Sequence, residues 1–424
     1  MRRTFEKLGL GYVLTVYELA TSLSVDHLVR SRGELHGELR VQCGLDGIRA
    51  TDGNVHQARF NLTSTTARGS VAKHLAQRAG HELIDWLDLL EDFCRRVLDA
   101  QRDGDPIEDV GALPMPVGVA TRVDPIMPLG DVTTLYGDGS TGKSTLAAAI
   151  AVSVQTGVSV IPGWIPRKAP VLYLDWEAGK ESINRRVRGV AMGANIPGPV
   201  TISYLNCKRR GALPGFAEDL AREIDLRSFG LVVVDSVGMA AGVGEGGDAN
   251  ETAIRLFAAF GALGTTVLAV DHVNKTDATR SDRTTRAYGS VYKGLLARAT
   301  FEVRRGKAAD GRWLIAIRNT KYNDADELGD QALKVHHEPD GAIWYERLEQ
   351  MPAEMKIGEP TIWELAAELL EMGDMSESEI AAAIDRQVPA VRATLYRVAR
   401  DQGSVERLPS SKKWRLIRPS AAVS

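Results

Sequence analysis

The sequence predicts an α/β protein. A parallel-sheet core over residues 111–350 is preceded by a small α+β unit (1–110) and followed by a unit of three helices and a hairpin (357–420). Three observations predict it. The apolar runs Val132–Tyr136, Val171–Asp175, Leu231–Asp235 and Thr266–Asp271 alternate with helix-period stretches, as buried parallel strands and their crossover helices do. Residues Gly137 to Ser144 fit GxxxxGK[ST] in full, between one such strand and the helical stretch Thr145–Val154. Beyond residue 357 the pattern changes to short amphipathic helices and two final apolar runs.

In the first unit, Leu23–Arg30, Glu34–Cys43 and Val55–Thr63 alternate as strands, with turns at Arg32-Gly33 and Asp52-Gly53-Asn54. Thr65–Gly80 is an amphipathic helix. Glu82–Asp103 is a second, with Leu83, Trp86, Leu89, Leu90, Phe93 and Val97 on one face. Met1–Thr21 reads as poorly ordered or as an overlong start; its short apolar run, flanked by Glu6 and Glu18, is a weak match to a secretion signal. Asp103 to Pro106 and the prolines at 114, 116, 125 and 128 read as a linker. In the core, Ala299–Arg304 and Trp313–Ile317 are added strands around the turn Asp310-Gly311. In the last unit, Ile362, Leu365, Leu369 and Leu370 mark one helix. Ser376 and Glu379 form a capping box for a second, and Val391, Leu395 and Val398 mark the inner face of a third. Val405–Leu408 and Trp414–Ile417 then flank a turn, which is the order of a winged helix-turn-helix.

The 424 residues exceed one ordinary domain, and 44% hydrophobic with 25% charged residues exclude a chain disordered throughout. With 52 Lys+Arg against 55 Asp+Glu the net charge is −3, so any nucleic-acid contact must come from local basic patches. Cys43, Cys94 and Cys207 are too scattered for a zinc site or a disulfide framework, which points to a reducing, cytoplasmic setting. No apolar run reaches the ~18 residues of a membrane span, and no membrane partner is expected.

The chemistry begins at Gly137-Asp138-Gly139-Ser140-Thr141-Gly142-Lys143-Ser144, with Thr145 opening the helix. Its glycines let backbone N–H groups turn inward onto phosphate oxygens, and the helix N-terminus adds partial positive charge. Lys143 reaches the β/γ-phosphates of ATP, and the Ser144 hydroxyl coordinates Mg²⁺. Asp235, at the end of Leu231-Val232-Val233-Val234, supplies the carboxylate for the metal's water shell. A strand-capping role is the plain alternative. Leu172-Tyr173-Leu174-Asp175-Trp176-Glu177 ends a core strand in two carboxylates; Glu177 is the favoured base for the attacking water, and Asp175 the second candidate.

These residues resemble the RecA-like ATPase core of RepA-type plasmid replicative helicases, which are related to DnaB helicases. The resemblance spans about residues 111–335. It implies that Glu177 is catalytic and that His272, in Asp271-His272-Val273-Asn274-Lys275, senses the γ-phosphate. It further implies that Arg298, after Gly289-Ser290, is a finger acting on the neighbouring subunit's nucleotide. Arg304, Arg305, Arg318 and Lys321 compete for that role. Arg318-Asn319-Thr320-Lys321 resembles the family's basic hairpin, which would bring Lys321 to the phosphates, but departs from its usual Lys-x-Arg-x-Gly form. His272 is otherwise a satisfied core histidine, and Arg298 a surface residue. A finger in trans implies a homo-oligomer, a hexameric ring in this family.

Two loops suit a central DNA channel: the glycine-rich stretch 241–248, and the stretch from Asn274 to Ser290 with Lys275, Arg280, Arg283 and Arg286. Only Tyr288 offers a stacking ring there, so a merely solvated loop is the alternative. Between 386 and 418 nine basic residues face only Asp401 and Glu406. Arg392, Tyr396 and Arg400 recur on the outer face of the third helix, and Lys412, Lys413 and Arg415 lie on the wing. Duplex DNA at this unit is the expectation, with protein docking or a structural cap as alternatives.

The sequence thus predicts a Mg²⁺- and ATP-dependent DNA motor, a ring-shaped helicase or translocase of a plasmid-type or mobile-element replication system, taking single-stranded or forked DNA. The rival is an ATP-switched DNA-binding regulator, loader or defence sensor. An open recombinase-like filament is a third form.

Overall fold

The computed structural model describes residues 2–46, 48, 50, 52–104, 107–114, 118–242, 248–272, 296–308, 310–323, 328–352, 362–384, 386–401, 404–409 and 411–417. The chain divides into two units; residues 1–272 and 287–350 form the larger, and 351–424 lie in the smaller.

The larger unit opens with an antiparallel meander of β1 (Arg3–Leu8), β2 (Gly11–Val16), β3 (Thr21–Ser31), β4 (Glu34–Cys43) and β5 (Asn54–Asn61). Helices α1 (Thr65–Arg78) and α2 (Trp86–Asp103) follow. Alternation decides the inner face: Leu14, Val16, Leu23, Val25, Leu39 and Val41 pack with Leu90, Phe93 and Val97 of α2. The N-terminal stretch is ordered, against the expectation of a poorly ordered start. Tyr12, Leu14 and Val16 are buried, and β1 pairs with β2 along its whole length. The second helix also starts later than its apolar spacing predicts. Asp85 caps it by accepting from the N–H groups of Leu87 and Asp88, which leaves Leu83 outside the helix and exposed.

The expected linker is partly structured. β6 (Thr121–Asp124) and β7 (Met127–Pro128) form a small sheet with β9 (Ile165–Pro166), and Val123, Ile126 and Met127 are buried in the core. The proline at 125 thus marks a turn inside the fold.

The core runs β8 (Val132–Gly137), α3 (Lys143–Thr156), β10 (Val171–Asp175), α4 (Lys180–Gly193), β11 (Ser203–Asn206) and α5 (Ala217–Arg227). It continues through β12 (Leu231–Asp235), α6 (Val237–Ala240), α7 (Ala249–Ala262), β13 (Thr266–His272), β14 (Ala299–Lys307), β15 (Trp313–Tyr322), β16 (Gln331–His337) and β17 (Ile343–Leu348). These build one nine-stranded sheet in the order β11-β10-β12-β13-β8-β14-β15-β16-β17. The strands from β11 to β14 are mutually parallel, and β14 through β17 are antiparallel. Both faces are covered. Leu135, Tyr173, Leu231 and Val233 meet α3 and α4, whereas Leu172, Leu174, Val232 and Val234 meet α5 and α7. That two-sided burial is why these strands read as continuous apolar runs. The added pair β14–β15 lies where expected, and β16 and β17 extend the sheet further.

The meander touches the core through α5. Arg222 pairs with Asp26 at 2.5 Å, and the Gly9 N–H donates to Asp225 at 2.6 Å.

The smaller unit holds α8 (Ile362–Met372), α9 (Glu377–Ala383), α10 (Val388–Asp401) and the hairpin β18 (Val405–Arg407) with β19 (Trp414–Leu416). Its core is Ala366, Leu370, Ile380, Val391, Leu395, Val398, Val405 and Trp414. The capping box forms: Glu379 N–H donates to Ser376 Oγ, and Ser376 N–H to Glu379 Oε2 at 2.7 Å.

Candidate active site

The phosphate-loop signature closes the end of β8 and opens α3. A Cβ at Gly137 would lie 2.2 Å from the Val303 carbonyl oxygen, so only glycine fits there. Gly142 has φ +93° and Ser140 φ +62°, which curl the loop through left-handed backbone. Nothing lies within 4 Å of a Cβ built on Gly139. Thr141 Oγ1 donates to Asp138 O at 3.0 Å. Lys143 is buried and folds back over the loop, its Nζ donating to Gly137 O (2.7 Å) and Asp138 O (2.6 Å). Burial lowers its pKa to about 8, against the opposing charges of Asp235, Asp138, Asp271 and Glu177. Thr145, one turn into α3, accepts from Tyr345 Oη at 3.3 Å through its carbonyl.

Asp235 ends β12 and is buried. Tyr173 Oη donates to its Oδ2 at 2.8 Å, while Oδ1 is buried with no hydrogen-bond partner among the described residues. Burial raises its pKa, and Tyr173 and Ser144 beside it oppose the rise. An unpartnered carboxylate oxygen near a helix-opening hydroxyl suits Mg²⁺, a hard cation that prefers oxygen ligands. Ser144 and Asp235 would hold it, and the ion would supply positive charge to the phosphate oxygens. Among the described residues no group of three or more His, Cys, Asp and Glu converges as a metal cage of its own.

Glu177 and Asp175 separate clearly. All of the Asp175 carboxylate is engaged: Oδ1 accepts from the N–H groups of Glu177 (2.9 Å) and Ala178 (2.8 Å). Oδ2 accepts from Gly179 N–H (2.6 Å) and Tyr204 Oη (2.8 Å). Burial works against the carboxylate, yet Tyr204 and the three N–H groups lower its pKa. The second candidate base is thus a brace that holds the turn carrying Glu177. Glu177 itself is half-exposed. Its Oε1 accepts from Ser236 Oγ at 2.5 Å and lies 3.3 Å from His272 Nε2. The hydrogen bond from His272, with help from Ser236 and the charges of His272 and Lys143, brings its pKa down to about 2 although burial opposes this. The strand order makes this meeting possible. β13 lies between β8 and β12, so the loop, Asp235, Glu177 and His272 emerge at the same end of the parallel strands.

Other expected residues lie elsewhere. Arg298 enters β14 with its N–H on Val132 O, at the start of β8, and its Nε is 3.6 Å from Asp131. β8 is six residues long, so roughly 16 Å of strand separates that end from the phosphate loop. Lys321, expected at the phosphates, sits at the same distant end and donates to Ala297 O at 2.7 Å. Pairing of β15 with β14 opposite Thr300 carries it there. Arg305, one of the competing cations, reaches the loop, through Ser140 O at 2.8 Å. Lys275, Arg280, Arg283, Arg286 and Gly289-Ser290 lie outside the described residues, as do 243–247 of the glycine-rich loop.

In the smaller unit several expected DNA contacts are held by its own acids. Arg392 Nε donates to the buried Glu377 at 2.6 Å, Arg415 forks onto Asp374 at 2.9 and 2.6 Å, and Lys413 lies 3.5 Å from Glu379. Tyr396 accepts from Arg407 at 3.0 Å and stands edge-on to Trp414. Lys412 is exposed at the hairpin turn, and Arg400 lies in the last turn of α10.

Sequence reasoning passed over Ser236, Tyr173 and Tyr204 as site residues. Ser236 had a signal, a hydroxyl directly after the strand-ending carboxylate. The tyrosines had none, because only the pairing of β10 with β11 and β12 brings Tyr204 to Asp175 and Tyr173 to Asp235.

Comparison with known proteins gives two likenesses. Residues 107–278 match a family described as AAA domain. A KaiC-like protein from the hyperthermophilic archaeon Pyrococcus horikoshii OT3 is a structural relative at 15% identity and TM-score 0.39, over 55% of this chain and 100% of that one. No curated protein matches the chain. The AAA-domain match over residues 107–278 and the phosphate loop within the α/β core support nucleotide-dependent ATPase chemistry in this part of the chain.

Proposed function

We propose that the chain is a Mg²⁺- and ATP-dependent DNA motor, a ring-shaped helicase or translocase, in which nucleotide state is passed from Glu177 through His272 to the basic stretch of sequence that follows it. One observation carries the reading. The Glu177 carboxylate lies 3.3 Å from His272, the last residue of β13, and the chain runs directly from there into the segment with Lys275, Arg280, Arg283 and Arg286.

A carboxylate with a pKa of about 2 is a weak proton acceptor. Movement of His272 toward a γ-phosphate would remove the largest cause of that lowering and restore basicity to Glu177, which then takes the proton of the attacking water. Lys143 and the loop N–H groups hold the phosphates, and Asp235 with Ser144 holds the metal. Arg298, placed at the far end of β8 from its own phosphate loop, would act on a neighbour's nucleotide in a homo-oligomeric ring. Such a finger is worth ~10³–10⁵ in rate. The C-terminal unit, read as a winged helix, would bind duplex DNA through Lys412, Arg400 and the outer face of α10.

A second reading, an ATP-switched regulator or loader, is favoured by the pairing of Arg392, Lys413 and Arg415 with acids of their own unit. ATP turnover with and without single-stranded DNA, together with strand displacement on forked DNA, separates the two. Stimulation with directional displacement is expected. Slow turnover indifferent to DNA, without displacement, would replace the motor with the switch. Size-resolved mass with ATP analogue and Mg²⁺ tests the ring: Arg298→Ala should assemble yet fail to turn over, and a monomer under every condition would sink it.

A further inference from the structure

The phosphate loop is braced from outside by the β14–β15 hairpin, and the geometry points to Arg305 as the residue that positions the loop for nucleotide. Three contacts form the brace. The Val303 carbonyl abuts Gly137, Ile315 Cδ1 lies 3.0 Å from a Cβ built on Gly142, and Arg305 Nη1 donates to Ser140 O at 2.8 Å. Arg305 is itself held: its Cζ lies 4.4 Å from the centroid of the Trp313 ring on the paired strand. A planar guanidinium can stack on that ring and still donate at its edge, which an ammonium cannot do in the same way.

The contact falls on the loop's least comfortable residue. Ser140 is the non-glycine residue of the loop with left-handed backbone, at φ +62°. For an L-residue that conformation is disfavoured by about tenfold. The peptide from Ser140 to Thr141 is trans, so its C=O and N–H point in opposite directions. Arg305 takes the carbonyl on the hairpin side, which turns the Thr141 N–H away from Arg305. A hydrogen bond to Ser140 O would therefore fix the direction of the Thr141 N–H, a donor available to phosphate, while the guanidinium itself stays outside. Arg305 acts through Ser140 and is a positioning residue. The loop signature specifies the curl; it does not specify what holds it.

This inference rests on nucleotide binding at the loop, and the test keeps the two apart. The full chain is titrated with a fluorescent ATP analogue and Mg²⁺, and ATP turnover is measured in parallel, for wild type, Arg305→Ala, Arg305→Lys, Ser140→Gly and the double variant Arg305→Ala/Ser140→Gly. Arg305→Ala should weaken analogue binding and raise KM about tenfold with kcat changed less than twofold. Arg305→Lys should fall between it and wild type. Glycine adopts the left-handed backbone without help, so Arg305→Ala should cost less than about twofold on the Ser140→Gly background. An equal loss on both backgrounds would mean that Arg305 does not act through Ser140, and no loss on either would mean that the contact is idle; each overturns the inference. Failure of the wild type to bind the analogue would instead overturn the reading of the loop.

Discussion

Replacing Asp175 by Asn tests whether this buried carboxylate organises the turn that carries Glu177. Its two oxygens accept four hydrogen bonds, from the N–H groups of Glu177, Ala178 and Gly179 and from Tyr204 Oη. An amide offers one oxygen and turns an NH₂ group toward the remaining donors. Two donors thus keep a partner and two face another donor. A hydrogen bond to a charged group contributes about 1.5–3 kcal/mol, so losing two costs about 3–6 kcal/mol. For a domain of this size that corresponds to a fall in melting temperature of roughly 10 °C. Turnover should drop with it, since a displacement of about 1 Å at a reacting group can cost about 100-fold. Tyr204→Phe removes one of the four bonds and should cost only about 1 kcal/mol, giving a graded control. Thermal unfolding and steady-state ATP turnover read both effects. An Asp175→Asn protein that melts within about 2 °C of wild type at unchanged kcat would refute the reasoning.

Glu177→Gln should lower kcat by about 10²–10⁴ while binding an ATP analogue as tightly as wild type; weakened binding without a kcat effect would remove Glu177 from the chemistry. Lys143, with its pKa lowered to about 8 by burial, is about half-protonated at pH 8 and recovers its proton beside phosphates. Calorimetry in buffers of different ionisation enthalpy should therefore show uptake of about half a proton on binding at pH 8 and almost none at pH 6.5, and no uptake at either pH would contradict the burial argument. The lowered pKa of Asp175 gives stability that is fully present above the ordinary value of 3.8 and lost as pH falls through its lower folded value. Acid unfolding of Asp175→Asn should accordingly lack that component, and superimposable acid limbs would count against it. Arg392→Ala removes the closest cation of the buried Glu377, leaving Trp414 and a more distant Arg407, and should lower the melting of the C-terminal unit with or without DNA. Lys412→Ala should leave melting alone and reduce the salt slope of any DNA binding by about one; the reverse pattern would assign Arg392 to DNA.

The α/β class, the phosphate loop and the carboxylates at the ends of β10 and β12 were legible in the amino-acid pattern. These depend on local pattern: a strand buried on both faces must be apolar throughout, and a loop that turns its N–H groups inward needs glycines at set places. The sequence also foretold the capping box at Ser376 and the three helices and hairpin of the last unit, because caps and helix periodicity are written in neighbouring residues. It misjudged the N-terminal stretch, whose hairpin is stable only because a third strand and α2 cover Leu14 and Val16. Which of the two carboxylates flanking Trp176 can meet His272 depends on contacts between strands that the local sequence does not record. Asp175 is spent on the turn and on Tyr204, a residue from another strand, which leaves Glu177 to meet His272. The tertiary structure also decided that Arg305 and not Lys321 reaches the phosphate loop. Strand register carries the two to opposite ends of the same hairpin, and register comes from pairing across the sheet, which no single stretch of sequence records.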